Sequence, residues 1–159
     1  MIDTTILLIA AATALDGVAT GASLDQTIKQ LPARHRIGVV AFSAYNRAAD
    51  TDTNGLVLYA GVGSCGLVLA LVVAAVAFFQ QMSPVHAVPI YLATGFWVLH
   101  MLITLTRAAP TLLSQRRYEK DEHALAAIFD RFERWQTVRV LMDVLIFGTM
   151  LWTLLTYVN

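Results

Sequence analysis

Four long, nearly unbroken apolar stretches organise the chain, at about residues 4–24, 55–79, 88–109 and 136–158. Each holds the roughly 20 residues that a helix rising 1.5 Å per residue needs to cross about 30 Å of hydrocarbon. Between the second and third lies a short connection, 80–87, whose Ser83-Pro84 predicts a tight turn. The other two connections are long. In 25–54, Ile37, Val40, Phe42 and Tyr45 fall on one face of a further predicted helix. The polar run Asp50-Thr51-Asp52-Thr53-Asn54 before Gly55 suits a helix start, because such side chains cap free N–H groups. In 107–135, Leu125, Ile128, Phe129, Phe132 and Trp135 recur at helical spacing from Glu119 onward, and Asp130 and Arg134 stand one turn apart as an expected ion pair. No proline separates this amphipathic helix from the fourth apolar stretch, so the two are expected to form one rod. The fold class expected is all-α. It is a single integral membrane domain over 1–159, a four-transmembrane-helix bundle with a cytosolic amphipathic helix continuing into the last span.

Composition agrees with that pattern. Hydrophobic residues make up 57% of the 159 and charged residues 14%, against about 25% charged in soluble domains. The formal net charge is zero, which gives no reason to expect a nucleic-acid partner; the partner implied is the lipid bilayer. Every Lys and Arg lies in the two long connections or their margins, and the 80–87 hairpin has none. The positive-inside rule then places both long connections in the cytoplasm and both termini outside. Arg116, Arg117 and Lys120 are read as setting this orientation, with anionic headgroups within their reach. Met1-Ile2-Asp3 lacks the positive charge of a signal peptide, so the first apolar stretch is expected to be a retained helix. Cys65, the one cysteine, has no partner for an internal disulfide and is expected as a small buried packing residue.

Ionisable groups inside apolar helices are costly and usually face a partner in the interior. Asp16, His100 and Asp143 lie in the first, third and fourth stretches, with Arg139 one turn before Asp143. Counted from the cytoplasmic ends, their depths are about 12, 13 and 10 Å, and Tyr59 of the second stretch can join the same layer. Thr13, Asp16, Thr20 and Ser23 share one helix face, and Trp97, His100, Thr104 and Arg107 share another; both stripes are expected to turn inward. Gly17 and Gly21, beside Asp16, form a GxxxG pair that lets another helix come close. Two readings follow. Arg139 and Asp143 can simply neutralise each other, with Asp16 and His100 as a second structural pair. Alternatively, all four line a functional pocket, the reading that the shared depth favours.

Other chemistries find little footing. Asp50, Asp52, Asn54 and Gly55 open like an EF-hand loop, but Gly61 stands where the bidentate Glu belongs. His35, His86 and His123 fall in three different connections, and no His pair or Cys cluster has ligand spacing. No metal and no cofactor are predicted.

The C-terminal stretch Ala124 to Leu155, ALAAIFDRFERWQTVRVLMDVLIFGTMLWTLL, resembles the end of the anthrone-oxygenase-like family of small four-helix membrane proteins. The likeness rests on an amphipathic helix running into the last span through Trp-x-x-x-Arg, here Trp135 and Arg139, and on the length and arrangement of the whole chain. Where many members carry Pro-x-Asn after the third span, this chain has Pro110-Thr111-Leu112. The resemblance implies a bacterial inner-membrane protein and a cofactor-independent oxygenase acting on a hydrophobic, aromatic or quinone-like molecule. On that reading His100 is the base, Asp16 or Asp143 orients it, and Arg139 stabilises the oxyanion. Tyr59, Trp97, Thr20, Thr104 and Trp135 are the candidate substrate contacts. The alternatives are a non-catalytic accessory subunit docking another membrane protein through the amphipathic helix, and a small-ligand binder or transporter. Gly61, Gly63 and Gly66 would be the contact between copies if it forms a homo-oligomer.

Overall fold

A computed structural model describes residues 4–51, 54–118 and 120–158. Asp52 and Thr53 of the capping run, Glu119 and the stretch 1–3 lie outside the described residues. The described residues are almost entirely helical, with no strand among them. The helices are α1 (Thr4–Asp25), α2 (Leu31–Ile37), α3 (Val39–Asn46), α4 (Asn54–Phe79), α5 (Pro84–Ile103), α6 (Ala109–Leu113) and α7 (Glu122–Val158). Four continuous helical segments are long and apolar enough to cross a membrane: Thr4–Ile37, Gly55–Phe79, Pro84–Arg117 and Glu122–Tyr157. They pack side by side in a closed circuit, α1 on α7, α7 on α5, α5 on α4 and α4 on α1.

Three of the four segments outrun a bilayer. Thr4–Ile37 and Pro84–Arg117 have 34 residues each and Glu122–Tyr157 has 36; at 1.5 Å per residue that is about 50 Å or more, against about 30 Å of hydrocarbon. The two long connections are therefore mostly helix. The second ends at Asp121, whose carboxylate accepts a 2.9 Å hydrogen bond from the Ala124 N–H and caps α7. From there α7 runs unbroken for 37 residues, so the amphipathic stretch and the fourth apolar stretch are one rod.

Prolines explain how α1 and α5 continue. Wider π turns at Gln26–Gln30 and Thr104–Ala108 come just before Pro32 and Pro110. A proline inside a helix removes one N–H and crowds the carbonyl four residues back. Here the Leu31 N–H reaches back to the Gln26 carbonyl and the Ala109 N–H to that of Thr104, five residues instead of four. The extra residue in the turn absorbs the crowding, and the helix goes on. At the hairpin, Pro84 is the first residue of α5, where its missing N–H costs nothing. The third helix thus begins at Pro84 rather than near 88.

Gly38 ends the first rod. Its φ of 84° is a conformation that residues with a Cβ rarely adopt, and α3 starts as a separate helix at Val39. This break corrects the expected apolar face of the first connection. Phe42 alone is buried; Ile37, Val40 and Tyr45 are exposed, since Ile37 precedes the break and Val40 and Tyr45 lie on the outer side of α3. Cys65 is likewise exposed on the outer face of α4, against the expectation that it is buried.

The interior has two levels. Toward the hairpin and through the apolar stretches, small and aliphatic side chains such as Ile9, Ala12, Ala77, Ala93 and Met150 fill the centre. At the connection end, where α4 is missing, α3 takes its place. There Leu31, Phe42, Leu125, Phe129 and Phe132 form a second, aromatic core. The apolar face of the amphipathic helix is spent on this core.

Candidate functional site

The polar stripes turn inward as expected. Thr13, Asp16 and Thr20 of α1 and Trp97 and His100 of α5 are buried, although Arg107 at the far end of its stripe is exposed. Around a cavity of about 200 Å³ the four segments bring together Tyr59 from α4, Trp97 and His100 from α5, and Arg139 and Asp143 from α7, with Ala19, Ser23 and Gln26 from the α1 side.

Asp16 lies behind the cavity wall. Its Oδ1 accepts a 3.0 Å hydrogen bond from the Trp97 indole N–H, so its partner is Trp97 and not His100. The indole also meets the His100 ring, with 5.4 Å between centroids. Trp97 can sit here because Gly66 faces it: a Cβ on Gly66 would fall 2.4 Å from the indole ring. Gly66 therefore packs inside the chain and is unavailable as a contact between copies, whereas Gly61 has open space beside it. In the GxxxG pair, a Cβ added at Gly17 would fall 3.2 Å from the Phe147 ring, whereas one added at Gly21 would meet open space.

His100 and Asp143 form the centre of the site. Nδ1 lies 2.8 Å from Asp143 Oδ1, but out of line with the ring N–H direction, so the contact is electrostatic more than a well-aligned hydrogen bond. Asp143 Oδ2 is buried without a partner. Thr20 donates a 3.0 Å hydrogen bond to the Asp143 carbonyl, which ties α1 to α7 but keeps Thr20 off the cavity surface.

Arg139 does not pair with Asp143. Its Nη1 donates a 2.6 Å hydrogen bond to Gln136 Oε1, and its Nε is buried without a partner. Helical side chains lean toward the helix N-terminus, and a long basic side chain seeks the wetter end, so Arg139 turns back toward Gln136. The expected i,i+4 neutralisation is thereby corrected. Gln136, fully buried, was not among the sequence candidates; its polar spacing with Arg139 and Asp143 along α7 was the available signal.

Two expected contacts lie elsewhere. Thr104 belongs to the π turn, where its buried hydroxyl has no partner, and it is not part of the cavity lining. Trp135 sits two turns along α7 from Asp143, about 12 Å away along the rod. It lines a separate groove, under the Arg107 guanidinium at 5.9 Å. Among the described residues, no group of His, Cys, Asp and Glu is arranged to hold a metal ion.

Comparison with protein-family models, curated proteins and solved structures returned no match to this chain.

Proposed function

We propose that this chain is an integral membrane protein whose four long helices span the bilayer as a bundle, with the long connections in the cytoplasm. In this reading the cavity receives the polar ring of a hydrophobic aromatic or quinone-like molecule. One observation carries it: His100, Arg139 and Asp143 converge on a cavity, and each keeps a buried polar atom without a hydrogen-bond partner. A purely structural polar core would be expected to pair those atoms, because leaving them unpaired in a low-dielectric interior is costly. About 200 Å³ is small for a ligand pocket, which suits one polar ring whose apolar remainder emerges between helices.

The chemistry supported is proton abstraction. The His100 imidazole takes a proton from an acidic ring C–H or O–H, and the Asp143 carboxyl, 2.8 Å from Nδ1, orients the ring. The Arg139 guanidinium offsets the charge on the substrate oxygen. With dioxygen as the oxidant, an anthrone-type carbanion and the proton returned from His100 give the quinone and one water, the reaction class that the sequence resemblance suggests. Asp16 acts through Trp97, by fixing the indole that forms one wall.

The amphipathic helix gives the accessory-subunit reading less room. Leu125, Phe129 and Phe132 are already covered by the chain's own Leu31 and Phe42.

The test uses purified protein in lipid nanodiscs with an anthrone, measuring oxygen uptake and quinone formation. His100→Ala should lower turnover by about 10²–10⁴-fold, the range for loss of a general base. Asp143→Asn should lower it as well, with binding retained. Turnover by His100→Ala equal to that of the unaltered protein would overturn the assignment.

A further inference from the structure

A second concavity, about 540 Å³, opens between the α5–α6 junction and α7. Its walls carry three arginines, Arg107, Arg131 and Arg134, around Trp135. All three are exposed, and none of them meets a carboxylate among the described residues. The acids that could have neutralised them are engaged elsewhere. Asp130, expected to pair with Arg134, instead accepts a 2.9 Å contact from Arg34, and Glu133 a 2.7 Å contact from the same buried guanidinium. At 100° per residue, Asp130 and Glu133 point about a third of a turn away from Arg131, Arg134 and Val138. The fold thus sorts α7 into an acidic edge facing α2 and a basic edge facing the groove.

Height along the bundle identifies what the basic edge meets. Measured from the hairpin-side helix ends at Pro84 and Val158, Arg107 and Arg134 lie about 35 Å along their helices and Arg131 about 40 Å. The hydrocarbon layer is about 30 Å and the whole bilayer about 40–45 Å, so these heights fall in the headgroup zone. Toward the hydrocarbon, helical spacing continues the groove walls as Leu99 and Leu102 on α5 and Leu141 and Leu145 on α7, all exposed. A bare cluster of three cations at the mouth of an apolar channel matches a phosphate with acyl chains attached.

We propose that this groove binds the headgroup of an anionic phospholipid, with Arg107, Arg131 and Arg134 on the phosphate and the acyl chains along the leucine walls. Guanidinium groups suit phosphate oxygens through paired N–H donors, and Trp135 packs under Arg107 and holds it in the groove. The site is separate from the His100 cavity and does not depend on its function. It also differs from Arg116, whose guanidinium donates to the Thr51 carbonyl, and from exposed Arg117 nearby.

Native mass spectrometry of the detergent-purified protein, titrated with phosphatidylglycerol, phosphatidylcholine or inorganic phosphate, tests this. Phosphatidylglycerol should give a one-to-one adduct at concentrations where phosphatidylcholine and phosphate do not. Arg107→Gln, Arg131→Gln and Arg134→Gln should each weaken it roughly fivefold, and the triple variant on the order of a hundredfold. Arg117→Gln should leave it unchanged. The single variants keep the test valid if the triple one misfolds. Equal adducts with phosphatidylcholine, equal binding of free phosphate, or undiminished adducts in the single variants would each overturn the proposal.

Discussion

The apolar level and the connection-side level of the same helices are held together by different means. In the apolar level, Ala12, Ala70, Ala77, Ala93 and Gly66 allow close approach, and few polar groups cross between helices. Trp97 to Asp16 and Thr20 to the Asp143 carbonyl cross beside the cavity, while Thr94 to the Ala70 carbonyl and His86 to the Thr156 carbonyl cross nearer the hairpin. At the connection end, large aromatic side chains meet instead, Phe42 edge-on to Phe129 at 4.9 Å. A buried polar chain also ties α3 to the end of the α5–α6 rod: Ser43 donates to Gln115, Gln115 to Asn46, and Asn46 to Asp50. The difference has a physical source. In the proposed membrane setting, lipid supplies no hydrophobic drive between helices, so close packing of small residues has to hold them, whereas water at the connection end drives large apolar groups together. Burial next to that network pushes the Asp50 carboxyl up from its ordinary range, with the Asn46 hydrogen bond opposing the shift.

The largest effect should come from the aromatic core. Phe129→Ala is expected to cost about 3–5 kcal/mol, as for other fully buried Phe deletions. Hydrogen exchange in detergent should show lost protection in α3 and the first turns of α7 with α4 unchanged; loss spread evenly over all helices would erase the distinction between levels. Next, Gly66→Ala should cost about 1–3 kcal/mol by overpacking against Trp97. Thermal unfolding and Trp fluorescence should both shift, and an unperturbed Trp signal would show that the close approach is not required. Arg34→Gln should cost about 1–2 kcal/mol, because Asp130 and Glu133 are substantially exposed and can rehydrate. A denaturation midpoint equal to that of the unaltered chain would show that the ion pairs do not hold α2 to α7. Smallest of all, Lys29→Ala should leave the thermal midpoint unchanged, since the Lys29–Asp25 pair lies in solvent. A clear drop in that midpoint would place Lys29 in the connection-side assembly after all.

Much of this was legible in the chain itself. The four apolar stretches give the number of long helices because hydrocarbon thickness fixes a minimum length, and helical rise gives the common height of Asp16, His100 and Asp143. The unbroken rod of α7 follows from the absence of proline between its two halves. What periodicity cannot fix is the rotation of one helix against another, which comes from packing between residues far apart in sequence. Only that packing decided that Asp16 binds Trp97, that Arg139 turns to Gln136, that Asp130 leaves Arg134 for Arg34, and that Trp135 faces a groove of arginines. The sequence set the height of each polar group; the tertiary structure chose its partner, because partner choice depends on which faces of separate helices meet.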